Sequence, residues 1–193
     1  MIIGLTGGIG SGKTVVAKLF ETMGCAIYNS DDKAKEVYFE PTVKQQVIEL
    51  LGNEAYTNPS VLNKDYISDR IFSDNALRQK LNAIIHPAVK QDFTAFTNQF
   101  RDQLIIKESA ILFETGIYKD LDVLILVSAP MDQKIERVKK RNGISEEEVI
   151  KRMSSQWSDE QKKPLSNYVI DNADDKALIP QVLTILNQLK AHA

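Results

Sequence analysis

The chain has 193 residues, 43% hydrophobic and 26% charged, with a formal net charge of −2. That composition belongs to an ordinary globular protein with one substantial core; it excludes wholesale disorder, and the slight negative balance removes the electrostatic footprint of a nucleic-acid binder. No apolar run reaches the length of a membrane span, no basic segment precedes a signal-like apolar stretch, and the single cysteine has no partner, so the expectation is a cytoplasmic protein in which Cys25 is a buried strand thiol.

The chain opens with Ile2-Ile3-Gly4-Leu5-Thr6, an apolar run of strand type. Gly7-Gly8-Ile9-Gly10-Ser11-Gly12-Lys13-Thr14 comes next, then Val15-Val16, Leu19-Phe20 and Met23 at helical spacing. Residues 7–14 fit G-x-x-x-x-G-K-[ST], the phosphate-binding loop, in the strand-to-helix setting that it needs. The backbone N–H groups of Gly8, Gly10, Ser11, Gly12, Lys13, Thr14 and Val15 are expected to turn towards phosphate oxygens, aided by the positive end of the helix dipole. Lys13 is expected to reach the β- and γ-phosphates and the Thr14 hydroxyl to bind Mg²⁺. The alternative is a glycine-rich turn with Lys13 in solvent; strand, loop and helix together weigh against it.

Gly24 stops the first helix, and Cys25 to Tyr28 reads as a second strand ending at Asn29-Ser30-Asp31-Asp32. Ligands bind at the carboxyl ends of strands in open α/β sheets, so Asp31 and Asp32 admit two readings. Either they are favourable charges in the first turn of the next helix, or one of them takes a proton from an attacking hydroxyl. From Thr42 to Gln103 the rhythm is helical: Val43, Val47 and Leu50-Leu51 up to Gly52-Asn53, then Ile67 and Ile71-Phe72. A further segment, capped by Ser73-Asp74, carries Leu77, Leu81 and Ile84-Ile85, and Pro87 suits the first turn of yet another helix. His86 there is either a helix-entry contact or a substrate contact. This block is expected to be an all-helical insertion, residues 41–103, gripping the substrate.

Leu104-Ile105-Ile106 begins the third strand, and Glu108 either holds a metal's water or simply ends that strand. Val123 to Val127, apolar without alternation, predicts a central parallel strand covered on both faces. A helix from Met131 puts Arg137 and Arg141 one turn apart on one face, and Ser145 with Glu148 forms a capping box that starts another helix carrying Arg152. These arginines read either as a solvated charged face or as a lid, residues 137–164, whose mobile cations spread the charge of a transferring phosphoryl group. Asn167 to Asp171 is the fifth strand, and the helix from Leu178, with Pro180 in its first turn, closes the sheet. Strands alternating with helices predict an α/β fold with a five-stranded parallel sheet in three layers, whose core comprises residues 1–40, 104–136 and 165–193.

With these pieces in place the chain resembles the dephospho-coenzyme A kinases over nearly its whole length. The resemblance rests on GLTGGIGSGKT at the start, Asp31 in NSDDKAK, Arg70-Ile71-Phe72, Leu81 to Pro87, Leu112-Phe113-Glu114, Arg152 with Gln156, and Val169 to Asn172. It implies a nucleoside-monophosphate-kinase-like P-loop fold that moves the γ-phosphoryl of ATP, with Mg²⁺, to the 3′-hydroxyl of dephospho-coenzyme A. It implies Asp31 as proton acceptor, Arg137, Arg141 and Arg152 on the nucleotide, with Arg141 catalytic beside Lys13, and Asp31, Lys35, Arg70 and His86 on the substrate. It also implies a monomer or weak homo-oligomer with no nucleic-acid or membrane partner. Asn29, Lys35 and Ala110 stand where the commoner family pattern has Asp, Arg and Pro; Lys35 keeps the charge but loses bidentate geometry. Three other readings remain to be separated from this one. A kinase of another small acceptor has the same architecture; a regulatory GTPase does not fit, since Asn63-Lys64-Asp65 has its Asp one place too early for N-K-x-D. A nucleotide-binding module without catalysis has no use for Asp31 and the lid arginines.

Overall fold

The computed structural model describes residues 1–192, apart from the side chain of Ser73, so the expected cap at Ser73 lies outside the described residues. The chain forms two compact units, one made of Met1–Asn29 with the chain from Phe100 onward, the other of Ser30–Gln99.

The first unit is built on a five-stranded sheet in the order β2-β5-β1-β6-β7, every pairing parallel. Its strands are β1 (Ile2–Thr6), β2 (Ala26–Asn29), β5 (Ile105–Glu108), β6 (Val123–Ser128) and β7 (Tyr168–Asp171). β1 lies in the middle, with Ile3 opposite Ile106 on one side and Val123 on the other. Helices α1 (Lys13–Thr22) and α9 (Leu178–Ala191) pack together on one face, where Val16, Ala17, Phe20, Val182, Ile185, Leu186 and Leu189 close over Ile3, Leu5, Ile106 and Ile125. Each of the Val, Leu, Ile and Phe side chains among them contributes about 1.5–3 kcal/mol by leaving water, so this seam fixes where α1 begins, and hence where the loop before it must turn. Gly24, at φ 92, ends the turn after α1, and Cys25, buried one residue before β2, is the expected inert thiol, its pKa raised by burial.

The second unit packs α3 (Pro41–Leu51), α4 (Lys64–Ser73) and α5 (Asn75–Gln99) around Val37, Val43, Val47, Leu51, Ile67, Leu81 and Ile85, and starts with α2 (Ser30–Glu36). It is not all helical. A small antiparallel hairpin, β3 (Tyr56–Asn58) and β4 (Val61–Leu62), turns at Asn58-Pro59-Ser60, where the Asn58 side chain accepts from the Ser60 N–H at 2.9 Å. Its strands are too short and too exposed to leave an alternating pattern. Nor does Pro87 open a helix: α5 runs through it, capped at its start by Asp74, whose carboxylate accepts from the Leu77 N–H at 2.9 Å. An interior proline costs about 3 kcal/mol, and the burial of Leu81 and Ile85 in the turns before it offsets that cost. His86 is therefore an exposed mid-helix residue, not a helix-entry contact.

Several charged side chains sit deep in the first unit, Lys107 among them. Lys107 on β5 is 7% exposed, with its ammonium 5.7 Å from the Tyr28 ring. Burial pushes its pKa down to about 8, with the Asp120 charge opposing the shift. The unfolded chain keeps that proton up to its ordinary value of 10.5, so the unfolded state binds more protons between about 8 and 10.5 and stability rises with pH across that window. Below the window the full cost of the buried charge stands, roughly 3 kcal/mol. Lys107→Met should therefore unfold at a higher temperature than the parent at pH 7, with the difference shrinking to nothing by pH 10.5 in thermal melts.

Candidate active site

The phosphate loop leaves β1 at Thr6 and ends where α1 begins, with Gly10 at φ 83 and Gly12 at φ 88, in the left-handed region open to glycine. Neither position has room for a side chain. A β-carbon at Gly10 would strike the main chain of Lys134, and one at Gly12 would strike the Asn172 side chain. The Lys13 ammonium donates to the Gly7 carbonyl at 3.0 Å, folded over its own loop. Val15 lies in the first turn of α1, exposed.

Two neighbours hold the loop from opposite ends. Asn172, just past β7, donates from its side chain to the Ser11 carbonyl at 2.7 Å, and its own N–H donates to the Ser128 carbonyl at 2.8 Å. Gln156 accepts from the Ile9 N–H at 3.0 Å. Beside Gly8, three polar heads converge: the Gln156 oxygen, the Asp159 carboxylate and the Lys134 ammonium each lie 3.8 Å from where a β-carbon would stand.

At the carboxyl ends of the neighbouring strands, Glu108 is buried, and its carboxylate faces two groups. Its Oε1 is 3.4 Å from the Thr14 hydroxyl, at the long limit for a hydrogen bond, while its Oε2 accepts from the Asn29 amide at 3.1 Å. Parallel register puts Asn29 directly opposite Glu108. Glu108 ends β5 and also faces the loop's hydroxyl.

The arginine-bearing stretch consists of α6 (Met131–Asn142), α7 (Glu146–Met153) and the single turn α8 (Asp159–Lys162). The capping box of Ser145 with Glu148 is present, and a second one, Ser158 with Gln161, starts α8. Arg137 donates to the Asn172 carbonyl at 2.8 Å and pairs with Asp174 at 2.5 Å, which joins it to the residue that clasps Ser11; its Nη1 is buried and finds no partner among the described residues. Arg141 and Arg152 are exposed, the former donating to the neighbouring Asn142 at 2.9 Å. The end of this stretch is anchored. Lys162, wholly buried, pairs with Glu114 at 3.0 Å and donates to the Ala110 carbonyl at 3.2 Å, while Glu114 also accepts from the Trp157 N–H at 2.7 Å. Lys134 and Lys162 look like surface lysines in the sequence, and no pattern there marks them as buried.

Asp31, Lys35, Arg70 and His86 belong to the second unit. Asp31 and Asp32 stand in the first turn of α2, where acidic residues complement the helix dipole. Lys35 pairs with Asp32 at 2.7 Å, and that hydrogen bond raises its pKa. The Arg70 guanidinium lies 5.9 Å from the Tyr66 ring.

The sequence profile of the dephospho-CoA kinases matches residues 1–177. The chain belongs to the dephospho-CoA kinase family. It is 38% identical over 186 residues to the dephospho-CoA kinase of Bacteroides fragilis, covering 95% of this chain and 90% of that one, and 38% identical over 190 residues to that of Porphyromonas gingivalis, covering 97% and 94%. Among solved structures, a Thermus thermophilus protein superposes with a TM-score of 0.86 at 28% identity, covering 100% of this chain and 97% of its own. The Campylobacter jejuni dephospho-CoA kinase superposes at 0.64 with 16% identity, covering 97% and 96%, a likeness of fold. Within this kinase family fold, a three-layer α/β arrangement, the loop geometry makes a direct prediction. Gly10→Ala should lose measurable ADP binding in calorimetry, because the loop's approach to α6 has no space to give. Gly143→Ala, also at a positive φ of 65 but with nothing within 4 Å, should bind ADP as the parent does and lose only about 1 kcal/mol of stability.

Proposed function

We propose that this chain transfers the γ-phosphoryl group of ATP to the 3′-hydroxyl of dephospho-coenzyme A, yielding coenzyme A and ADP, the last step of coenzyme A synthesis. The observation that carries the reading is the phosphate loop with Thr14 facing a buried Glu108, in a chain of the dephospho-CoA kinase family. The bond from the 3′-oxygen to the γ-phosphorus forms as the bond to the bridging oxygen of ADP breaks, and the hydroxyl proton passes to a carboxylate.

The loop amides and Lys13 bind the phosphates. The Nη1 of Arg137, beside the Asn172 clasp, is a buried donor with no acceptor among the described residues, as a nucleotide-binding group would be. Arg141 and Arg152 supply further cations from α6 and α7. The donor set suits Mg²⁺: a hydroxyl and one carboxylate are hard oxygen ligands, and among the described residues no cluster of three or more His, Cys, Asp or Glu forms a closed metal cage. Thr14 would hold the ion directly and Glu108 its water; Mg²⁺ supplies neutralisation of the β- and γ-phosphate charge. Asp31 is the proton acceptor, with Lys35, Arg70 and His86 on the substrate side. The protein works in the cytoplasm, as a monomer or weak homo-oligomer without nucleic-acid or membrane partners; the net charge of −2 speaks against a nucleic-acid partner, and among the described residues no helix is long and apolar enough to cross a membrane.

A coupled assay of ADP release tests the substrate: dephospho-coenzyme A should be turned over far faster than nucleoside monophosphates or sugar acids, and equal turnover of either would overturn the reading. Asp31→Asn should fold normally, bind both substrates within a few-fold, and lose at least about a hundredfold in turnover, the lower end of general-base effects. Asp32→Asn breaks only an exposed ion pair with Lys35, and should leave turnover nearly unchanged. Glu108→Gln should raise the Mg²⁺ concentration needed for half-maximal rate while leaving the KM for dephospho-coenzyme A alone.

A further inference from the structure

The first half of the phosphate loop, Gly7-Gly8-Ile9-Gly10, has three glycines and so the least intrinsic preference for one backbone shape. The Ile9 amide in its middle donates to Gln156 Oε1 at 3.0 Å across 147 residues of sequence. Gln156 lies between α7 and α8, in a short connection whose direction is set by the anchoring of α8. Asp159, the first residue of α8, pairs with Lys134 of α6 at 2.7 Å, and the two side chains are 11% and 7% exposed. The Ser128 hydroxyl, at the end of β6, donates to the same carboxylate oxygen at 2.7 Å. Lys134 also contributes the main chain on which Gly10 rests. One residue therefore touches the loop with its backbone and anchors the Gln156 segment with its side chain.

A buried ion pair adds little net stability, because desolvation consumes most of the attraction; what it does well is reject other registers, since a slipped strap would bury an unpaired charge. We propose that Gln156, held in register by the Lys134–Asp159 pair, is a positioning residue that fixes the Ile9 amide and so preorganises the loop for the triphosphate. It acts through the loop and touches no reacting atom. The inference rests on the phosphate-binding reading of the loop. A loop already in its binding shape spends less of the nucleotide's interaction on ordering, so the effect belongs in ATP affinity rather than in the chemical step.

The test compares Gln156→Leu, Lys134→Met and Lys13→Ala, with Trp157, the only tryptophan, as reporter. Its ring stacks on Phe113 at 6.0 Å and 15°, so its emission reads whether the strap is seated. Gln156→Leu should raise the KM for ATP about tenfold, as expected for one lost hydrogen bond, with kcat, the KM for dephospho-coenzyme A and Trp157 emission unchanged. Lys134→Met should raise the KM for ATP at least as much and shift Trp157 emission to the red; should it fail to fold, Asp159→Asn reads the same property. An unchanged KM for ATP in Gln156→Leu, with ATP binding lost in Lys13→Ala, overturns the inference and leaves the phosphate loop standing. Unchanged ATP binding in both overturns the loop reading and the inference with it. A red shift in Gln156→Leu as large as in Lys134→Met overturns it too, because Gln156 would then merely seat the strap.

Discussion

The phosphate loop meets main chain and side chain where a β-carbon would have kept them apart: Gly10 lies on the carbonyl of Lys134 and Gly12 under the amide of Asn172. That approach ties three distant parts of the sequence to one turn, the end of β1, the start of α6 and the end of β7. It arises from the parallel order of the sheet, since β1 lies between β5 and β6, and β7 flanks β6. Every strand delivers its carboxyl end to the same side, so Asn29, Glu108, Ser128 and Asn172 are brought to the rim of the loop by topology alone. The apolar seam under α1 and α9 supplies the energy; the glycines allow the geometry.

Only features with a periodic or compositional trace could be read from the sequence. The five sheet strands, α1, α3 and α9, and the capping box at Ser145 are legible because apolar spacing and cap chemistry are local signals. The hairpin at Tyr56 is not, because its stability comes from a turn and from neighbours such as Tyr38, whose carbonyl accepts from the Tyr56 hydroxyl at 2.7 Å. The continuity of α5 through Pro87 is not either, since the burial that overrides proline is a tertiary property. In the site, the loop could be read from its motif alone, whereas the buried state of Lys134 and Lys162 could not. Both are common charged residues on helices, and only their partners, Asp159 and Glu114, distant in the chain, make them interior groups.

The departures from the commoner family pattern can be weighed individually. An aspartate at position 29 would face Glu108 across adjacent strands, and two carboxylates at that distance cannot both stay ionised without cost. Asn29 instead donates a hydrogen to Glu108, leaving a single negative charge next to Thr14. That arrangement keeps one hard oxygen donor set beside the loop and removes the second carboxylate from the end of β2. Ala110 is different. The interaction found at this position uses its carbonyl, which receives Lys162, and a proline would present the same group.

The arginine-bearing stretch divides into parts that physical reasoning treats differently. Its far end is immobilised: Gln156 on the loop, Asp159 on Lys134, Lys162 on Glu114, and Trp157 stacked on Phe113. Arg137 is likewise held, through Asn172 and Asp174, to the clasp on Ser11. Arg141 and Arg152, by contrast, project from exposed faces of α6 and α7. A cation already fixed in place stabilises developing charge without reorganising, whereas an exposed side chain must first be ordered to do so. Arg137 is thus preorganised by its partners, whereas Arg141 and Arg152 are not, although all three stand on the same short stretch of chain.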